Sequence, residues 1–242
     1  MRRAWVVCRH ALGQLLGGRR LLVTALLSAI PLLAPALLFA ARGDTDPVDF
    51  SLNLFRAIVL PFLLPVVSLA FATAALGSEV RDGTATNLLL KPITRAAILA
   101  AEFVAAVLAT LLVLLPLLVA SQAIAGSLGA SSLLLGTLAA TVVGALAYCA
   151  LGLTLSLFIS RALAVGLVYV VLWEGALVSV APSASSLAVR GYAEGVLAAI
   201  TAHDGPVVST RLGPLSSTVL ASVVTLLALA LGTRRLTQMD VK

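Results

Sequence analysis

Charge is scarce in this chain of 242 residues: Asp, Glu, Lys and Arg together make up 11% of it. A soluble domain typically carries about 25%, and no polar stretch here is long enough to hold a separate soluble unit. Cysteine is nearly absent. Cys8 and Cys149 sit in different segments with no C-x-x-C or Cys/His spacing, so neither a disulfide framework nor a metal site is implied. The two histidines, His10 and His203, have no partner spacing and are assigned no chemistry. No G-x-x-x-x-G-K-[ST] occurs, so nucleotide binding through a P-loop is not expected of this chain. Enzymes embedded in membranes cluster Asp, Glu or His as acid/base or metal sites require. The one well-embedded ionisable residue here is Glu174, which argues against catalysis.

What is abundant is apolar. Hydrophobic residues make up 61% of the chain and the mean hydropathy is +1.12, so lipid is the expected solvent for most of it. A span needs about 20 apolar residues. The expected fold is a single all-α polytopic domain over 1–242 with six transmembrane helices, at about 21–41, 57–77, 98–120, 133–159, 162–181 and 214–233. The uncharged stretch Phe103–Ser160 is too long for one helix and is expected to break within Ser121–Ser132. The first run follows several arginines but is longer than a signal-peptide core and lacks a clear cleavage site, so it reads as a retained span. Residues 2–20, with Trp5, Cys8, Leu12, Leu15 and Leu16 at helical spacing, read as an amphipathic interfacial helix that turns into span one at Gly17-Gly18.

Orientation follows from Lys and Arg in the loops. Twelve of the sixteen fall on one side, among them Arg19, Arg20, Arg81, Lys91, Arg95, Arg161, Arg234 and Arg235; Arg42, Arg56, Arg190 and Arg211 fall on the other. The first side is then cytoplasmic, with both termini, as expected of a bacterial inner-membrane protein. The net charge of +6 is spread between apolar blocks, so no nucleic-acid partner is expected. The outer segment 182–213 carries Val189, Tyr192, Val196 and Ile200 at helical spacing, which predicts a short re-entrant or interfacial helix. Gly136, Ala140, Gly144 and Gly152 form a small-residue stripe that lets helices approach closely, within or between chains. Pro31, Pro35, Pro61, Pro65 and Pro116 are expected to kink spans one to three.

The loop 78–97 carries the functional signal. Asp82-Gly83 breaks the chain, Thr84 can cap a short helix through Leu90, Pro92 ends it, and Thr94 can cap span three with Arg95 at its foot. Glu79, Arg81, Asp82, Lys91 and Arg95 surround that helix, which makes a docking surface or an ordinary topology-fixing loop. In Glu79, Gly83, Thr84, Leu88, Leu89, Pro92, Thr94 and Arg95 it resembles the conserved cytoplasmic segment of ABC-2-type transporter permeases. The likeness extends over the chain to the N-terminal helix, the six spans, the long outer segment and the Trp173-Glu174-Gly175 triplet; Glu102 departs from it, where Lys is expected.

The resemblance implies a type V exporter-like fold and an exporting permease subunit, and the apolar lining its spans offer suggests a hydrophobic or amphipathic substrate. It also implies a coupling helix docked on separate ATPase subunits, two per complex, which hold the ATP and Mg, and a second permease chain. No cofactor is expected on this chain. Glu174, with Trp173, is expected to line the path, to contact the outer segment, or to make a structural hydrogen bond, since a mid-bilayer carboxylate must face protein or water. Glu102 reads as interfacial, within reach of water or Arg95. The rival reading is a gradient-driven secondary transporter, disfavoured by the single glutamate and the absence of a repeat; an embedded enzyme ranks third.

Overall fold

The computed structural model describes residues 12–13, 15, 17–42, 46–81, 94–177, 188–202, 208, 210 and 212–238. Every element among them is helical. The first, α1 (Gly18–Arg42), holds Pro31 and Pro35 and ends on Arg42, a cation placed where the helix dipole favours it. Gly17 is not helical, so the chain breaks there before α1. The rest of the expected interfacial helix at 2–20 lies almost wholly outside the described residues.

Helix α2 (Pro47–Leu54) opens with a full set of start signals. Asp46 is extended at the cap position, its carboxylate accepts from the Val48 N–H at 3.0 Å, and Pro47 follows it. The helix passes without interruption through a π-helical segment, Phe55–Leu63, into α3 (Leu64–Arg81). Hydropathy alone starts this span at residue 57, whereas the helix starts ten residues earlier. Asp49 and Arg56 divide the apolar run, while the Asp46-Pro47 cap fixes the true start. Pro61 has no N–H to give, and the wider π register absorbs it: the Leu64 N–H reaches the Val59 carbonyl five residues back. Phe39 of α1 and Phe50 of α2 stack at 4.1 Å between centroids and tie the two helices at this end.

The long uncharged stretch divides into α4 (Arg95–Ala125) and α5 (Ser131–Phe158). Gly126 ends α4 in the left-handed region at φ 79°, which glycine adopts without strain. Several polar groups of the break pair with one another, although the buried Gln122 Oε1 accepts no hydrogen bond. The Gln122 amide donates to the Thr137 hydroxyl at 2.9 Å, and the Ser51 and Ser127 hydroxyls meet at 2.7 Å. Helix α5 is the centre of the fold and packs against α3, α4, α7 (Val189–Thr201) and α8 (Pro214–Gln238). Its small-residue stripe makes these contacts possible within the chain. Gly136 faces Leu197 of α7, Gly144 faces Leu64 and Ala193, and Gly152 faces Leu69 and Ala72 of α3. Cys149 is buried on the same helix, with Thr110 and the Ser68 carbonyl beside its thiol, a packing residue.

Among the described residues, five helical stretches are long and apolar enough to cross a membrane: Leu21–Arg42, Pro47–Ala75, Arg95–Ala125, Ser131–Phe158 and Pro214–Gln238. A further apolar stretch joins α6 (Ala162–Tyr169) to a second π-helical segment, Val170–Leu177. Its two eight-residue pieces reach at most about 24 Å at 1.5 Å per residue, short of a hydrocarbon core of about 30 Å. Residues 178–187, which the expected fifth span enters, lie outside the described residues. The outward faces of α1 and α8 are apolar, with Ile30 67% and Leu226 66% exposed, as a lipid environment requires and water would penalise.

Candidate functional site

Two regions carry chemistry. The first lies at the end of the bundle where α3 leaves, α4 begins and α8 finishes. Arg95 is the first residue of α4, behind Thr94, which occupies the cap position in extended backbone with no hydrogen bond from its side chain to the helix start. The Arg95 guanidinium donates to the Leu236 carbonyl near the end of α8, where exposed carbonyls favour a cation. Arg235 lies over the Phe158 ring at 5.4 Å, and Arg161 follows three residues later. Arg190 reaches the Arg56 carbonyl at the opposite end, at 3.5 Å. Arg95, Arg161 and Arg235 therefore gather at one end, and Arg56 and Arg190 at the other. A cavity of about 620 Å³ adjoins the first end, between α3 and the α5–α6 turn, lined in part by Thr73, Ser156 and Arg161.

Of the expected docking residues, Glu79 and Arg81 lie in the final turns of α3 and Arg95 opens α4, turned onto α8. Asp82, Gly83, Thr84, Leu88, Leu89, Lys91 and Pro92 lie outside the described residues. Glu102 does not reach water. It is 2% exposed, seven residues beyond Arg95 on the buried side of α4. The apolar packing of the α4 foot places the protein boundary farther out than the end of the uncharged run indicates.

The second region is built around Glu174, in the π-helical segment Val170–Leu177. The residue is 3% exposed. It accepts from the Tyr148 hydroxyl of α5 and from the first two N–H groups of α7, Val189 at 3.2 Å and Arg190 at 3.4 Å. A carboxylate at a helix start meets both the unpaired donors and the positive end of the dipole. The geometry displays hydrogen bonds to Glu174 from the start of α7 and from α5, where Tyr148 is the side chain that shares it. Trp173 is partly exposed beside it. Arg190 is turned to Glu194, with its Nε 3.0 Å from that carboxylate.

Tyr148 is the member of this site that hydropathy and charge do not mark. Its signal was there: it stands between Gly144 and Gly152 on the same buried stripe, where a lone phenol needs a partner. Helix α7 itself runs from Val189 as the spacing predicted. Its face of Val189, Tyr192 and Val196 is buried in protein, against α5 and α8.

These arrangements supply no cluster of His, Cys, Asp and Glu that could hold a metal among the described residues. They give a bundle of apolar helices with a basic end and a buried carboxylate latch. No curated protein matches the chain. Residues 19–184, more than half of the chain, match the family described as ABC-2 family transporter protein. The match takes in α1 through the Glu174 segment and the whole α3–α4 loop, and with it the chain belongs to the ABC-2 transporter family as a membrane permease.

Proposed function

We propose that this chain is the permease subunit of an ATP-driven exporter, working as one of a pair of permeases with two separate ATPase subunits. Hydrolysis occurs on those subunits, which hold the ATP and Mg. The loop 78–97 carries the coupling helix, with Glu79, Arg81, Asp82, Gly83, Thr84, Leu88, Leu89, Lys91, Pro92 and Arg95 as its docking and framing residues. Family membership is the observation that carries this reading. The basic end formed by Arg95, Arg161 and Arg235 supports placing the loop and both termini in the cytoplasm of a bacterial cell. The cargo is hydrophobic or amphipathic, in keeping with the apolar walls.

The contact of Arg95 with α8 gives the loop a mechanical connection. A push on the start of α4 is passed to the end of α8 through the Leu236 carbonyl. The experiment is affinity purification of the tagged chain from its own membranes. A P-loop ATPase is expected to co-purify, and changing Glu79 and Arg81 together to Ala is expected to reduce its recovery at least about tenfold, as loss of a charged contact pair would. Recovery of this chain alone, with the ATPase intact in the same cells, overturns the reading in favour of a gradient-driven transporter.

A further inference from the structure

The chain holds three tyrosines in all, Tyr148, Tyr169 and Tyr192. They come from α5, α6 and α7, and all three line one cavity of about 360 Å³, which falls within the size range of small-molecule sites. The rest of its wall is apolar and includes Leu69, Gly166 and Val224. Three phenols in a chain with 5% aromatic residues are unlike a wall built for an alkyl tail alone. Behind the wall stands Glu174, which accepts from Tyr148. Arg190, whose backbone N–H also reaches Glu174, has its guanidinium turned to Glu194 and to the Arg56 carbonyl.

We propose that this tyrosine-walled cavity binds a lipophilic organic monocation, a quaternary ammonium head with a short apolar tail. The faces of aromatic rings carry negative potential and attract such cations. A carboxylate bonded to one of the phenols strengthens that potential, and the low dielectric around the site keeps it unscreened. The apolar remainder of the wall takes the tail. A neutral amphiphile gains only that second contribution, and an anion meets repulsion from Glu174. The cavity thereby selects by sign of charge.

This inference names a ligand class for the permease proposed above, and its test involves no transport, so the two can fail separately. The full chain, in zwitterionic lipid nanodiscs, is titrated calorimetrically with hexyltrimethylammonium and with hexanesulfonate, and empty nanodiscs are subtracted. Saturable binding is expected for the cation and none for the anion. Tyr169→Leu, at the partly exposed member of the three, is expected to weaken binding about tenfold, and Tyr169→Phe, which keeps the ring, to leave it within about twofold. Binding of both probes alike, absence of saturable cation binding to a well-folded chain, or indifference to Tyr169→Leu overturns the proposal.

Discussion

Replacing Glu174 with Ala is expected to destabilise the folded chain by about 3 kcal/mol, the largest single loss among polar substitutions in the bundle. The change strands three donors at once: the buried Tyr148 hydroxyl and Val189 N–H and the part-buried Arg190 N–H. Each buried polar group left unpaired costs about 1–3 kcal/mol. The two backbone contacts are long, at 3.2 and 3.4 Å, which places their share at the lower end. Glu174→Gln retains an acceptor but loses the charge facing the α7 dipole, so about half of the loss is expected. Tyr148→Phe removes one bond only, and interhelical bonds in membrane bundles average about 0.6 kcal/mol. The three variants should therefore rank in that order in reversible unfolding in mixed micelles. A Glu174→Ala protein as stable as the parent would show that α7 is held by its apolar face alone.

Gly152→Leu is expected to be more disruptive still, with loss of folded protein rather than a lowered midpoint. A Cβ at Gly152 would sit 3.0 Å from both the Ala72 Cβ and a Leu69 methyl, and 3.5 Å from the Leu69 Cα. The last of these is backbone and cannot rotate away. A full leucine must therefore part α3 from α5 at the centre of the bundle, and overpacking a tight seam costs about 1–3 kcal/mol before the lost contacts are counted. Gly152→Ala needs a shift of only a few tenths of an ångström and is expected to be mild. Gly129→Ala, in the α4–α5 turn with open space around it, serves as the neutral control. Monodisperse yield by size-exclusion chromatography reads all three. Equal yields of Gly152→Leu and Gly129→Ala would contradict the packing described for this seam.

These two sites show what the amino-acid order displays and what it hides. The stripe of Gly136, Gly144 and Gly152 is visible as spacing, because every fourth residue of a helix shares a face. Its partners are invisible, since Leu69 and Ala72 look like any other apolar pair in α3. Glu174 is conspicuous as a lone charge in an apolar run, yet its partners lie 26 residues before it and 15 after it. Only folding brings them together. The start of α2 was written in Asp46-Pro47, but Asp49 and Arg56 masked it from a hydropathy reading. The buried position of Glu102 depends on how α4 packs at its foot, which no local pattern encodes. The α7 helix was legible because its apolar spacing is regular through a polar segment.

The central claim is that the α3–α4 loop receives a P-loop ATPase on the basic side of the bundle. It is tested most directly by placing a photo-crosslinking residue at Leu88 in the loop and, separately, at Leu128 in the α4–α5 turn. Leu128 is 43% exposed at the opposite end, where α4 finishes at Ala125. Irradiation of whole cells is followed by purification of the tagged chain and identification of the adduct. The account predicts a P-loop ATPase joined at Leu88 and none at Leu128. Capture of the ATPase at Leu128, or no ATPase at either position in cells that contain it, would contradict the assignment of both the loop and the side of the membrane it faces.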